Sequence, residues 1–141
     1  MMQVVDASVV AKWFLPEPHK DNAERLLRDF LSETVELMAP DLLVVEVGNL
    51  LWKRSTLRRE ISAVQAAQSC RDFLSLDIQV HPSSGLASAA LKLAATEGRQ
   101  IYDMMYIALA EQNACDFITA DEKLLQALRK KFPCLRWIGD L

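Results

Sequence analysis

The clearest indication of fold class is the segment Ile101-Tyr-Asp-Met-Met-Tyr-Ile-Ala-Leu-Ala-Glu-Gln112, which is followed closely by Asp116-Phe-Ile-Thr119. The first segment is an apolar run long enough for a helix, and the second has the length of a short buried strand. A buried helix that leads directly into a buried strand is typical of α/β proteins, in which strands alternate with helices and pair in parallel.

The same alternation extends to both ends of the chain. Further strands are predicted at 2–6, 35–39, 77–81 and 135–138, and helices at 8–15, 21–31, 40–55, 62–74, 84–96 and 121–132. Asp41 is the predicted N-cap of the third helix, and Gly98 lies near the end of the fifth. Right-handed crossovers between parallel strands then predict an α/β fold, a three-layer α/β/α sandwich with a central parallel sheet of four to five strands. We expect residues 1–141 to form a single domain.

Composition narrows the function classes. The chain has 141 residues and a net charge of −3, which argues mildly against nucleic-acid binding by the whole surface, although a local basic patch or a metal ion can supply the attraction. Cys70, Cys115 and Cys134 are widely spaced, which predicts reduced, partly buried thiols in a cytoplasmic protein rather than a zinc site or disulfides. We see no signal peptide and no apolar run of the roughly 18 residues that a membrane span needs, so no membrane association is expected.

Four carboxylates stand among apolar residues, where a charge is costly to bury without a partner: Asp6, Glu46, Asp103 and Asp121. Asp6 and Asp121 follow predicted strands, whereas Glu46 and Asp103 lie near the beginnings of predicted helices. Ligands of open parallel sheets bind beyond the carboxyl ends of the strands. We therefore expect all four acids to meet at that edge.

Four carboxylates in one cleft repel each other, so either some of them are protonated or a hard cation neutralises them. A set of oxygen ligands alone favours Mg²⁺ or Mn²⁺ over zinc. Such an ion supports metal-assisted hydrolysis of phosphodiesters, a reaction that needs no protein nucleophile.

Taken singly, most of these acids also have a structural interpretation. Asp121 could simply cap the last helix, and Asp6 could be a turn residue. Asp103 could be a first-turn acid that the helix dipole favours. Glu46 is the hardest to explain in this way, because it interrupts the apolar run of its helix.

At this point the residues resemble a PIN domain, and specifically a VapC-type toxin ribonuclease. The resemblance rests on four segments, 4–14, 40–49, 102–111 and 117–124. Each segment is a weak pattern alone, but all four in this order and spacing are specific. Met104 and Met105 depart from the small residues often found after the third acid, which leaves that acid intact but changes the wall of the cleft.

The resemblance implies a divalent-metal-dependent endoribonuclease that hydrolyses RNA with Mg²⁺, or with Mn²⁺ as the alternative, as the toxin of a toxin–antitoxin pair. It implies that Asp6, Glu46 and Asp103 form the core of the metal site and that Asp121 completes it. A homodimer and a cognate antitoxin that blocks the cleft are implied in the same way.

Three further positions match polar residues of the family. Ser8 and Thr119 stand where hydroxyls usually support the acids by hydrogen bonding, and Asn49 matches a common polar position on the helix of the second segment. Lys12 lies near the predicted site and is our candidate for substrate binding. Glu17 is interpreted as a solvated loop acid, in preference to an outer metal ligand.

The basic and the aromatic residues each have two interpretations, RNA binding or a structural role. The cluster Lys53, Arg54, Arg58 and Arg59 either binds phosphates or is a solvated helix end. The aromatic residues Trp13, Phe14 and Trp52 are expected to pack in the core or in a dimer interface rather than to stack on bases.

Two other functions stay open beside the ribonuclease. A structure-specific DNA nuclease would use related metal chemistry, but the short chain has no obvious insertion to thread a flap. A catalytically silent PIN-fold binding module would not need all four acids intact.

Overall fold

A single parallel sheet forms the centre of the molecule, and the computed structural model describes all of residues 1–141. Its strands are β1 (Met2–Val5), β2 (Glu36–Pro40), β3 (Gln79–His81), β4 (Asp116–Thr119) and β5 (Leu135–Trp137), in the spatial order β3-β2-β1-β4-β5. All four strand pairings are parallel. The predicted parallel sheet of four to five strands is confirmed.

Seven helices flank the sheet: α1 (Ala7–Phe14), α2 (Lys20–Leu31), α3 (Leu42–Trp52), α4 (Ala63–Ser75), α5 (Ala87–Glu97), α6 (Ile101–Gln112) and α7 (Glu122–Leu128). Helix α1 packs against α2 and α3, and α3 packs against α4. Helix α5 packs against α6, which lies on β1, β2 and β4. This arrangement is the predicted three-layer α/β/α sandwich.

Helix α6 is the central element of the core because every residue from Met104 to Ala110 is buried. Its Tyr106 ring stacks on Phe117 of β4, with ring centroids 5.4 Å apart. Val4 and Val5 of β1 are both fully buried, as expected for a parallel strand covered on both faces. The predicted bounds of α6 and β4 agree with the structure.

The strand order reverses between β1 and β4. The chain adds β2 and β3 on one side of β1, and then β4 and β5 on the other. Val5 pairs with Ile118, so Asp6 and Thr119 leave the sheet side by side. The crevice beyond the carboxyl ends of these two strands is where open α/β sheets bind their ligands.

Asp41 occupies the N-cap position of α3, as predicted, but its side chain does not cap the helix. Asp41 has helical backbone angles, φ −61° and ψ −19°, and its side chain makes no capping bond. A capping side chain needs an extended N-cap residue, whereas here the carboxylate accepts hydrogen bonds from the Ser83 backbone N–H, at 3.1 Å, and from the Ser83 hydroxyl. Asp41 therefore ties the beginning of α3 to the turn after β3.

Several predicted bounds were too long, for local reasons. The third helix does not continue to Ser55 as an α-helix but changes to a π-helix at Lys53–Leu57. Strand β3 is shorter than predicted because Asp77 has φ 56°, which a strand cannot contain. A 3₁₀ turn at Ser83–Gly85 precedes α5, and Gly98, with φ 62°, caps that helix as predicted.

The three cysteines are unpaired and half-buried, as predicted. Burial raises the pKa of the Cys115 thiol and raises that of Cys134 to about 11, so neither thiol is prone to ionise. No helix is both long enough and apolar enough to cross a membrane.

Candidate active site

Asp6 lies at the carboxyl end of β1, where it is buried and fixed on several sides. It is the N-cap of α1, and its carboxylate accepts the backbone N–H groups of Ser8, at 3.1 Å, and Val9, at 3.3 Å. Burial raises the pKa of Asp6 to about 6, although the hydrogen bonds it accepts oppose that shift. The fold thus orients a carboxylate that is costly to keep ionised.

Two hydroxyls join Asp6 to the end of β4. Thr119 is fully buried and donates to the Asp6 Oδ2 atom at 2.6 Å, while the Ser8 hydroxyl donates to Oδ1. The Ser8 oxygen also accepts the Ala120 N–H at 2.8 Å, and the Thr119 oxygen accepts the Asp121 N–H at 3.1 Å. The two strand ends are therefore held together by side chains as well as by the sheet.

Glu46 lies on α3, where it is half-buried and receives a hydrogen bond from the hydroxyl of Tyr106 on α6. Burial raises the pKa of Glu46, and the nearby charge of Asp103 raises it further, whereas the Tyr106 bond lowers it. Burial and the carboxylates around it raise the pKa of Tyr106 far above its usual value. Tyr106 consequently stays a hydrogen-bond donor.

Asp103 lies in the first turn of α6 and interacts with the charge of each of the other three acids. It raises the pKa values of Asp6 and Glu46, and its own pKa is raised by burial and then by Asp121. Arg99 partly compensates, with its guanidinium 3.7 Å from the Asp103 carboxylate. Asp103 is thus near enough for its charge to interact with those of Asp6, Glu46 and Asp121, while the formation of one site by the four acids stays a prediction.

Asp121 does cap the last helix. It is the N-cap residue of α7, and its Oδ1 atom accepts the Leu124 N–H at 3.1 Å. The structural alternative for this residue is therefore observed. Capping engages one carboxylate oxygen, and the charge of Asp121 still acts on Asp103.

The chemistry of this donor set fits a hard divalent cation. All candidate ligands are carboxylate oxygens. Burial raises the pKa of three of them, which makes their ionised forms costly, and a bound cation would offset that cost. However, no three Asp, Glu, His or Cys side chains anywhere in the chain are gathered closely enough to hold a metal ion as they stand. Binding would require side-chain adjustment.

Lys12 and Glu17 have surroundings that the sequence did not predict. The Lys12 side chain is buried, and its ammonium donates to the Pro18 carbonyl at 2.7 Å and lies 3.6 Å from Glu17. Glu17 also pairs with Arg54 at 2.8 Å and is only 19% exposed. The interpretation of Glu17 as a solvated loop acid is wrong, because two cations from separate helices enclose it.

The remaining candidates are mostly on the surface. Asn49 is exposed on α3. Trp13 is buried, as expected for core packing, whereas Trp52 is 48% exposed and does not pack in the core of a single chain. Packing of Trp52 in a dimer stays a prediction. Arg54 of the predicted basic cluster is committed to Glu17 and Glu60 and is not a free phosphate ligand.

Tyr106 and Arg99 are site residues that the sequence prediction missed. Tyr106 is one helical turn after Asp103, a spacing that was a signal, whereas Arg99 lies four residues before Asp103 and outside α6. The bond between Tyr106 and Glu46 joins residues 60 positions apart and left no local pattern.

Comparison with known proteins gives consistent results. The family model of the PIN domain matches residues 4–130. The chain is 36% identical over 137 residues to Ribonuclease VapC3 of Pyrobaculum aerophilum, covering 96% of this chain and 98% of that protein.

Two solved structures share the fold. The crystal structure of PAE2754 from Pyrobaculum aerophilum superposes with a TM-score of 0.72 at 24% identity, covering 99% of this chain and 85% of the other. The structure of VapBC2 from Rickettsia felis, bound to a DNA fragment from its promoter, gives a TM-score of 0.64 at 14% identity and covers 97% of each chain.

Proposed function

The chain belongs to the PIN domain family, and on that premise we propose that it is a divalent-metal-dependent endoribonuclease whose metal site consists of Asp6, Glu46, Asp103 and Asp121. The observation that carries this proposal is the buried Asp6 carboxylate, which Ser8 and Thr119 hold at the crevice between β1 and β4. Asp103 lies near enough for its charge to interact with those of Asp6, Glu46 and Asp121. The identity with Ribonuclease VapC3 supports RNA as the substrate.

The proposed ligands differ in how firmly the fold holds them. Asp6 is oriented by two hydroxyls and two backbone N–H groups, and Glu46 is oriented by Tyr106. Asp103, paired with Arg99 at 3.7 Å, and Asp121, with one oxygen outside its cap, are freer to adjust. Mg²⁺, with Mn²⁺ as the alternative, would stabilise negative charge on the phosphate during hydrolysis.

Cleavage of matched RNA and DNA tests the proposal. The wild-type protein is incubated with single-stranded RNA, the same DNA sequence and branched DNA, each with Mg²⁺ or with EDTA. We expect RNA cleavage that EDTA abolishes and that Asp103→Asn reduces by roughly 100-fold or more, because removing one metal ligand weakens the site as a whole.

A matched control is Asp21→Asn, since Asp21 is an exposed first-turn acid of α2, remote in sequence from every proposed ligand. It should cleave RNA at the wild-type rate. RNA cleavage that persists in EDTA would contradict the proposal, and cleavage confined to DNA would favour the DNA nuclease.

One observation favours a second candidate, the catalytically silent binding module. The acids do not stand as a closed ligand set, since no three of them are close enough to hold an ion without adjustment. A wild-type protein that binds no Mn²⁺ and cleaves no nucleic acid would be such a module.

We also assign this chain to the toxin side of a toxin–antitoxin pair, acting as a cytoplasmic homodimer. The relationship to Ribonuclease VapC3 and the fold shared with VapBC2 support the pairing. Large exposed apolar side chains on and between α3 and α4, Val45, Trp52, Leu57 and Val64, offer surface for a protein partner. Sedimentation should give about twice the chain mass of 15.9 kDa.

A further inference from the structure

An open depression of about 430 Å³ lies next to Asp121, at the carboxyl edge of the sheet. Its walls come from the loop before α2, the beginning of α7 and the end of β5. The volume is within the range of small-ligand pockets. The proposed cleavage chemistry does not use this space.

Two aromatic rings form a corner in the depression. His19 and Trp137 have ring centroids 4.8 Å apart and planes inclined at 72°. His19 is exposed, and Trp137 is half-buried. A near-perpendicular pair can hold a planar ring that stacks on one member and meets the edge of the other.

The position of the Trp137 ring in this corner is fixed by the residues around it. A Cβ atom at Gly139 would stand 2.7 Å from the Trp137 ring, so only glycine lets the indole lie against the backbone there. Asn22 of α2 donates to the Ile138 carbonyl at 2.9 Å and fixes the same segment.

The His19 side is held equally firmly. Lys12 donates to the Pro18 carbonyl, and Lys20 donates to the Lys12 carbonyl, each at 2.7 Å. His19 itself has φ 60° and ψ 25°, a left-handed conformation that histidine adopts more readily than most residues. Lys12 therefore acts on the loop that carries His19, and it need not contact a substrate to matter for binding.

The position of the corner indicates its occupant. Asp121 borders both the depression and the proposed metal site, so a chain whose phosphate lies among the acids would carry a neighbouring nucleotide toward His19. Lys123 lies exposed on the same wall, where it offsets part of the negative charge of Asp121 and Glu122, which also line the depression. Sequence-selective RNA binding depends on unstacked bases that stack on aromatic side chains, including histidine.

We infer that His19 and Trp137 form a subsite for one unstacked base of the RNA, adjacent to the cleaved phosphodiester. The inference rests on the proposed ribonuclease function and adds to it a determinant of where the enzyme cuts. The subsite binds the base, while the acids act on the phosphate.

Combining substitutions in the protein with abasic positions in the RNA tests the subsite. Binding is measured by fluorescence anisotropy in the Asp103→Asn background, with oligonucleotides in which each base near the cleaved bond is replaced in turn by an abasic ribose. One abasic position should raise Kd by roughly tenfold, the usual effect of losing one base–aromatic stack. We then add His19→Asn, because asparagine also tolerates the left-handed backbone at this position. This variant should raise Kd for the intact RNA and largely remove the rise in Kd that the abasic substitution causes, called the abasic penalty below.

Two further variants make the result specific. Trp137→Phe keeps an aromatic ring and should retain part of the penalty. His81→Asn makes the same substitution at the other histidine, at the end of β3, and should leave the penalty unchanged.

The inference is overturned if His19→Asn leaves the abasic penalty unchanged. It is also overturned if no abasic position raises the Kd of the RNA more than the others. If the predicted binding pattern is found but wild-type protein cleaves no RNA, then the proposed function fails and the base subsite stands. The two failures are therefore distinguishable.

Discussion

At the scale of single residues, the site depends on hydrogen-bond donors that stabilise the ionised form of buried carboxylates. Asp6 would be poorly tolerated beyond β1 without the hydroxyls of Ser8 and Thr119, and Glu46 has the hydroxyl of Tyr106. Each donor contacts an acid that burial makes costly to ionise.

Tyr106→Phe isolates one such donor. The ring should keep its stacking on Phe117, so the core stays packed while Glu46 loses its hydrogen bond. We expect the Kd for Mn²⁺ to rise roughly tenfold, the usual effect of removing a hydrogen bond to a ligand. Isothermal titration calorimetry measures this, with the exposed neighbour Tyr102→Phe as control, and equal Kd values for Tyr106→Phe and wild type would refute the role.

The buried Asp6 carboxyl predicts how stability depends on pH in the metal-free protein. Its pKa rises from 3.8 to about 6 on folding, so the protonated form favours the folded state and that stability is lost as the pH rises through 6. Between pH 5 and pH 8, wild type should lose about 1–2 kcal/mol more than Asp6→Asn, the size of a shift of one pKa unit. Urea denaturation in EDTA measures the difference, and parallel pH profiles would exclude the effect.

At the scale of secondary-structure elements, an ion-pair network joins the loop after α1 to the end of α3. Arg54, on the π-helix, pairs with Glu17 at 2.8 Å and with Glu60, and its side chain is 14% exposed. π-helical turns are uncommon and often occur near functional sites. Here the turn directs Arg54 toward the loop that leads to His19.

Arg54→Met should therefore destabilise the protein by about 1–3 kcal/mol, because two carboxylates lose a charged hydrogen-bond donor. Arg58→Met is the matched control, since Arg58 is 66% exposed and lies 3.7 Å from Glu60. We expect that variant to stay within about 0.5 kcal/mol of wild type. Urea denaturation compares the two, and equal stabilities would show that the network contributes nothing.

The elements also show what a single sequence can predict. Helix α6 and strand β4 were predicted with correct bounds because each is an apolar run with polar ends. The π-helix, the bond from Ser83 to Asp41 and the enclosure of Glu17 were missed. The bond from Ser83 to Asp41 and the pairing of Glu17 with Arg54 join residues 42 and 37 positions apart, which leaves no local periodicity.

At the scale of the whole molecule, the sheet order explains why distant acids meet. Asp6 and Asp121 follow the two strands between which the order reverses, while α3 and α6 bring Glu46 and Asp103 to the same edge. That the four acids form one metal site stays a prediction, which the sequence allowed because strand ends and helix starts were recognisable. The sequence did not predict that the acids would stop short of a closed ligand set, since side-chain conformations depend on packing.

Manganese binding tests the central claim, that these carboxylates act together as one metal site. Isothermal titration of the metal-free protein at pH 8 is performed on wild type, Asp103→Asn and the exposed control Asp21→Asn. We predict saturable binding by wild type and by Asp21→Asn, and at least tenfold weaker binding by Asp103→Asn, because one ligand is lost. Wild-type protein that binds no Mn²⁺, or an Asp103→Asn variant with unchanged affinity, would contradict the account.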